Sequence, residues 1–340
     1  VDRRAESEES ADEEAAGGAA LSPKQQQQQG ACSLPSHPPS RKNEVAVDIA
    51  TIELNPDDEE VDLNHCRIGK IERLEILMKV KVLCLRQNMI AQIENLESLT
   101  TLRELDLYDN VLKKIENLDT LVNLEMLDIS FNVLRKIEGL DTLRKVRKLF
   151  LVSNKITKIE NLNSLTELRM LEVASNRIRV IENIETLKNL DSLFIGKNKI
   201  TKLQNLDSLT NLTVLSIQSN RITKIEGLSS LVNLQELYLS HNGIEVIEGL
   251  ENNKKLTTLD IAANRVRRIE NVGHLTELQE FWMNDNQISN WNDVDELKNA
   301  RGLQTVYLER NPLQRDPQYR RKIMLALPWV RQIDATYVRF

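Results

Sequence analysis

An α/β-type solenoid of about twelve coils, each 22 residues long, is the fold that the sequence predicts, and three observations carry it. Asn recurs at 88, 110, 132, 154, 176, 198, 220, 242, 264 and 286, nine consecutive steps of 22 without a slip. Within one period, counted from Asn110, apolar residues fall at Leu112, Ile115, Leu118, Leu121, Leu124, Leu127 and Ile129. The last pair are two apart, the spacing of a strand, whereas the others step by three, the spacing of 3₁₀ turns. A coil this short has no room for a strand, a full α-helix and two bends, so 3₁₀ or short helical turns are expected on the convex side and parallel strands on the concave side.

Taken in order, residues 1–57 read as a disordered tail. They contain "AESEESADEEAAGG", the run "QQQQQ" and "SLPSHPPS", and the first 60 residues hold 14 acids against 5 bases, a balance of −9. Ser7 and Ser10 stand among acids, the setting of a phosphosite; the alternative is a plain solvated tail. The repeats occupy 58–311. "VDLNHCRIGKIERLEIL" is a degenerate first repeat with Cys66 at the ladder position, where the leucine-rich repeat pattern accepts Asn or Cys because either side chain can donate to the neighbouring coil. Asn311 follows Asn286 after 25 residues, so the last repeat carries a three-residue insertion around "NWNDVDELKNA". Residues 312–340 read as a C-terminal cap with a helix over "QYRRKIMLALP", in which Tyr319, Ile323, Leu325 and Leu327, followed by Trp329 and Ile333, cover the last coil.

Composition narrows the function. The chain is 41% hydrophobic but only 4% aromatic, which calls for a core of Leu and Ile. No run of 18 apolar residues and no signal pattern is present, so the expected setting is the nucleus and cytoplasm, with no membrane partner. Three cysteines lack zinc-like spacing, and four histidines include no i, i+4 pair. With no nucleophile elbow and no phosphate-cradling loop, neither a catalytic residue nor a metal or other cofactor is indicated. His65 and His241, one residue before the ladder, read as solvated, and Gly139, Gly227 and Gly249 as tight turns in place of Asn.

Binding remains, and the period shows where. Residues flanking the core apolars of each strand point into the concave groove. The column four before each ladder residue runs Asp62, Cys84, Asp106, Asp128, Phe150, Glu172, Phe194, Ser216, Tyr238, Asp260, Trp282, Tyr307: five acids, five aromatics, one Cys and one Ser. Acids among exposed rings suit an interface with a basic protein surface, although strand surfaces also favour aromatics that merely stack. The column two further on is small and mild at its middle (Val152, Ala174, Gly196), and Glu104, Glu236 and Glu280 add acid two residues earlier. Convex Lys or Arg (Lys114, Lys136, Lys158, Lys202, Lys224, Arg268) alternates with Glu116, Glu138, Glu160, Glu226 and Glu270, as on a solvated face. Twelve strands at ~4.8 Å make a wall of ~53 Å, close to the ~50 Å breadth of a ~300-residue domain. A folded partner fits better than a peptide, and nucleic acid is disfavoured by the acids.

The unit "LxxLxxLDLxxNxIxKIENLxxL", the stretches "NGIEVIEGLENN" and "ELQEFWMNDN", and the tail "VYLERNPLQRDPQYRRKIMLALPWVRQIDATYVRF" resemble the protein phosphatase 1 regulatory subunit 7 family over residues 42–340, together with "VDRRAESEES". That resemblance implies a non-catalytic subunit whose groove holds the catalytic subunit of a Ser/Thr phosphatase. It implies partner contacts at Asp128, Phe150, Glu172, Phe194, Asp260, Glu280, Trp282 and Tyr307, with Asp106 and Tyr238 as secondary candidates from the column. It further implies a second inhibitory subunit in a ternary complex and an immature, metal-poor state of the phosphatase. The terminal "TYVRF" lacks the basic residue that a short phosphatase-docking motif carries ahead of Val338, so docking is expected to rest on the groove rather than on Val338 and Phe340. Two alternatives are an adaptor for a cytoskeletal, ciliary or splicing protein, and a factor that alters the metal content of the phosphatase.

Overall fold

The structure, a computed structural model, describes residues 46–338 with the exception of residue 48. Most of the acidic tail, with Ser7 and Ser10, lies outside the described residues, as does Phe340. Among the described residues, twelve three-residue strands recur at the repeat interval, from β1 (Glu60–Asp62) to β12 (Thr305–Tyr307), each paired in parallel with the next. Two short strands, β13 (Gln332–Ile333) and β14 (Thr336–Tyr337), extend the same sheet, the first parallel to β12 and the second antiparallel. Register is exact to the repeat, so Leu105 lies between Leu83 and Leu127.

The step of three on the return side is visible as hydrogen bonding. Leu99 N donates to Leu96 O at 3.0 Å and Leu102 N to Leu99 O at 3.1 Å, and the same pair recurs at Leu121 and Leu124. Each turn buries a leucine against the coils on either side. The apolar series counted from Asn110 is at most 1% exposed throughout, and complete burial of one such side chain stabilises by roughly 1.5–3 kcal/mol. A seven-residue 3₁₀ helix, Trp291–Leu297, takes up the insertion, with Asn290 as its N-cap.

The asparagine ladder ties coil to coil. Asn110 Nδ2 donates to Leu85 O of the preceding coil at 3.0 Å and to Leu107 O at 3.1 Å, while its Oδ1 accepts from Ile90 N at 3.0 Å. One side chain thus satisfies backbone groups that no strand reaches. Cys66 does not do the same: its thiol donates at 3.5 Å to Asn64 O within its own coil. The residue before each ladder position lies in the left-handed region, from 51° at Lys197 to 58° at His65, and this is where His65 and His241 stand. A second left-handed turn sits on the convex side, where Asn117 (φ 58°) donates to Ile93 O at 2.7 Å. Gly139 replaces that Asn at φ 68°, where a Cβ would stand 2.6 Å from Ile115 O.

Both ends differ in detail from expectation. Packed structure begins ahead of residue 58: Val47 bridges to Ile68 and Ile49 is 1% exposed, because the first coil's apolar side needs a cover. At the other end, helix α1 (Tyr319–Ala326) covers the last coil with Tyr319 and Ile323, and Leu327 and Ile333 are also buried. Leu325, expected among them, is 72% exposed, since residues 319, 323 and 327 share one helical face and 325 lies on the other. Asp334 stands in for a further ladder residue. Its carboxylate accepts from Leu308 N and Glu309 N at 2.9 and 3.0 Å and from the Tyr319 hydroxyl. No helix of the described residues is long and apolar enough to cross a membrane.

Candidate interaction face of the sheet

Each strand from β1 to β12 is three residues long, with its middle residue in the core and its outer two facing away from it. Parallel register turns the repeat position into a physical column. Asp106 pairs with Asp128, Asp128 with Phe150, Phe150 with Glu172 and Glu172 with Phe194. Further along, Tyr238 pairs with Asp260, Asp260 with Trp282 and Trp282 with Tyr307. All ten candidate residues lie on this one face, Glu280 two residues before Trp282 in the same strand.

The column is less exposed than alternation alone implies. Asp106, Asp128, Phe150, Phe194, Glu280, Trp282 and Tyr307 are half-buried, whereas Glu172 (9% exposed), Asp260 (5%) and Tyr238 (1%) are buried. With strands so short and packed at one repeat interval, side chains of adjacent coils cover one another. Tyr238 is therefore a positioning element rather than a contact surface: its hydroxyl donates to Glu236 Oε2 at 2.7 Å. The aspartates also have a local duty. Asp106, Asp128 and Asp260 accept from the backbone N–H two residues on, at 3.0, 2.8 and 3.0 Å, which closes the end of each strand.

Burial changes the chemistry of these acids. Loss of water, and then the charge of Asp128, pushes the Glu172 carboxyl up to about 7. The same two causes in the same order push Asp106 up to about 6, with Arg86, 3.4 Å from its carboxylate, pulling back only weakly. Asp128 is raised by burial, and Asp260 is pushed by burial up to about 6. Burial likewise lifts the Cys84 thiol to about 11, which leaves it inert as a nucleophile. The face therefore holds carboxyls close to their titration points at neutral pH.

Its aromatic side chains form two pairs. Trp282 meets Tyr307 edge-on at 5.9 Å, and the Tyr307 hydroxyl accepts from Gln332 Nε2 at 2.9 Å. The Trp282 Nε1–H is buried with no acceptor, a situation that costs about 1–3 kcal/mol. The second group was not foreseen: Arg86 lies 4.3 Å over the Tyr108 ring, and Tyr108 meets Phe131 at 4.8 Å. Its members come from two different repeat columns, and a column-by-column reading separates them. Among the described residues, no three His, Cys, Asp or Glu side chains are grouped to hold a metal ion.

Comparison with known proteins gives the following. A model of leucine-rich repeats in two copies matches residues 100–142, 166–208, 188–230, 210–252 and 232–274. Over 53 residues the chain is 79% identical to protein phosphatase 1 regulatory subunit 7 of Mus musculus, a stretch that is 16% of this chain and 15% of that protein. Over 50 residues it is 84% identical to the protein of the same name from Danio rerio, 15% of this chain and 14% of that one. The match thus spans about 15% of the length of these relatives. Among solved structures, an internalin, InlF of Listeria monocytogenes, superposes with a TM-score of 0.67 at 24% identity over 82% of this chain and 87% of that one, a likeness of fold alone.

Proposed function

We propose that this leucine-rich repeat solenoid is a non-catalytic regulatory subunit that seats the catalytic subunit of protein phosphatase 1 against its sheet face and controls its activity or maturation. Nucleus and cytoplasm are its compartments in this reading, and a second inhibitory subunit joins the assembly. The observation that carries it is the stretch shared at 79% and 84% identity with proteins named as regulatory subunits of that phosphatase. The chemistry of the face supports it. Asp128, Phe150, Glu172, Phe194, Glu280, Trp282 and Tyr307 offer rings and carboxylates together, the composition from which protein interfaces draw their anchoring energy. A basic side chain of the partner draws the proton from Glu172. Asp260, buried at 5% exposure, contributes charge rather than contact area.

The test is binding of the purified catalytic subunit to the wild type and to the Glu172→Ala/Trp282→Ala variant, with circular dichroism on both. Tight binding by the wild type and a loss of about thirtyfold or more in a folded variant, matching ~2 kcal/mol for an anchor residue, is the expected result. Equal binding by both moves the contact off these side chains. Binding by neither leaves a scaffold for some other protein.

A further inference from the structure

Beyond the sheet face, the geometry points to a second interaction surface: a basic strip on one edge of the solenoid that takes an extended acidic segment of a partner protein. The strip is defined by the ladder itself. Around Asn154, Asn176, Asn198 and Asn220, the positions one before, one after and three after the ladder residue make twelve sites. Six are basic (Lys155, Arg177, Arg179, Lys197, Lys199 and Arg221), the other six are Ser or Thr, and no acid is among them, in a chain with 51 acids against 45 bases. None of the twelve is buried.

Part of the convex charge is paired. Lys114 pairs with Glu116 at 3.6 Å, and Lys202 with Glu226 at 3.9 Å. By contrast, none of the six has a carboxylate within 4.0 Å among the described residues. Lys155, Arg177, Lys199 and Arg221 occupy the same site on four successive coils, with backbone N–H groups anchored to the preceding coil at 2.8 Å. Charges are thus stacked about 4.8 Å apart. The neighbouring column on the sheet side, Val152, Ala174, Gly196 and Gln218, carries no charge to neutralise them. The four stacked sites present about 14 Å of one-signed edge, the span of an extended segment of four or five residues.

The chemistry selects the occupant. Guanidinium and ammonium groups interleaved with hydroxyl donors suit carboxylates, or phosphates carried on a peptide. Nucleic acid is the poorer fit. Not one of the twelve sites is aromatic, so bases find no stacking platform, and the carboxyls of the adjoining face repel a polyphosphate chain.

The experiment uses the full chain and a fluorescein-labelled decapeptide of alternating Glu and Gly, read by anisotropy at low and at about 150 mM salt, the physiological ionic strength. A single-stranded oligonucleotide is run in parallel. Variant K155E/R177E/K199E/R221E is expected to lose peptide binding about tenfold or more. The equally reversed control K136E/K158E/K202E/K224E is expected to keep it. The neutral set K155Q/R177Q/K199Q/R221Q repeats the measurement should the reversed set lose its circular dichroism signal. Equal loss in strip and control variants, no peptide binding by the wild type at low salt, or tighter binding of the oligonucleotide at the strip each overturns the proposal. All of these outcomes are read without the phosphatase, so they stand apart from the test of the sheet face.

Discussion

Replacement of Glu172 by Gln tests whether the sheet face stores an electrostatic penalty. The carboxyl has an ordinary value of 4.5 and is pushed to about 7 in the folded chain, by burial first and by Asp128 second. The folded state therefore binds its proton more tightly than the unfolded state does. Stability from this group is undiminished below 4.5, falls as the pH climbs towards 7, and is flat above. The gap between the two values, at about 1.4 kcal/mol per pH unit, is worth roughly 3 kcal/mol. Gln has nearly the same shape and no charge to desolvate, so E172Q is expected to match the wild type at pH 4.5 and to exceed it by roughly 3 kcal/mol at pH 8. Urea titrations followed by circular dichroism at both pH values measure the difference. A gap that is the same at the two pH values, or a variant less stable at pH 8, refutes the reasoning, because it means the carboxylate is as well solvated in the fold as out of it.

Other expectations concern the frame that carries the face. Asn176→Ala removes donors to Leu151 O, Val173 O and Ala174 O and the acceptor of Ile156 N. Leu151 O, Val173 O and Ala174 O keep Asn154, Asn198 and the Ser153 N–H as donors, whereas buried Ile156 N is left unpaired at about 1–3 kcal/mol, so thermal melting is expected to drop by more than for an exposed Asn such as Asn211. In the cap, Ile323→Ala is expected to cost about 2–5 kcal/mol and Leu325→Ala close to nothing, since the first is fully buried and the second 72% exposed; comparable losses from the two in urea unfolding contradict the observed helical face.

Much of this architecture was legible from the chain alone, for a physical reason. A solenoid coil touches only its neighbours, so its core positions, its ladder and its turns must all repeat at the coil length. The apolar series from Leu112 to Ile129 is buried as the period implies, and Asn110 and Asn176 bridge coils as an amide that both donates and accepts is able to do. The column from Asp106 to Tyr307 is contiguous on the sheet because parallel pairing keeps register from coil to coil. What escaped the period was whatever depends on neighbours that are not identical. Leu325 was assigned to the wrong side of a helix too short to show its phase, and Cys66 was credited with a bond that its longer, weaker thiol donor makes within its own coil.

The sequence by itself determined where each repeat turns, which residues form the core, and which side chains share the sheet face, because all three follow from spacing along one chain. Only the tertiary structure decided how deep those side chains sit. Tyr238, Asp260 and Glu172 are covered by the side chains of adjacent coils, and that covering turns ordinary acids into groups that titrate near neutrality. It likewise decided which lysines and arginines meet a carboxylate and which do not, since ion pairing depends on separations of a few ångströms between coils and not on the alternation of charge within one.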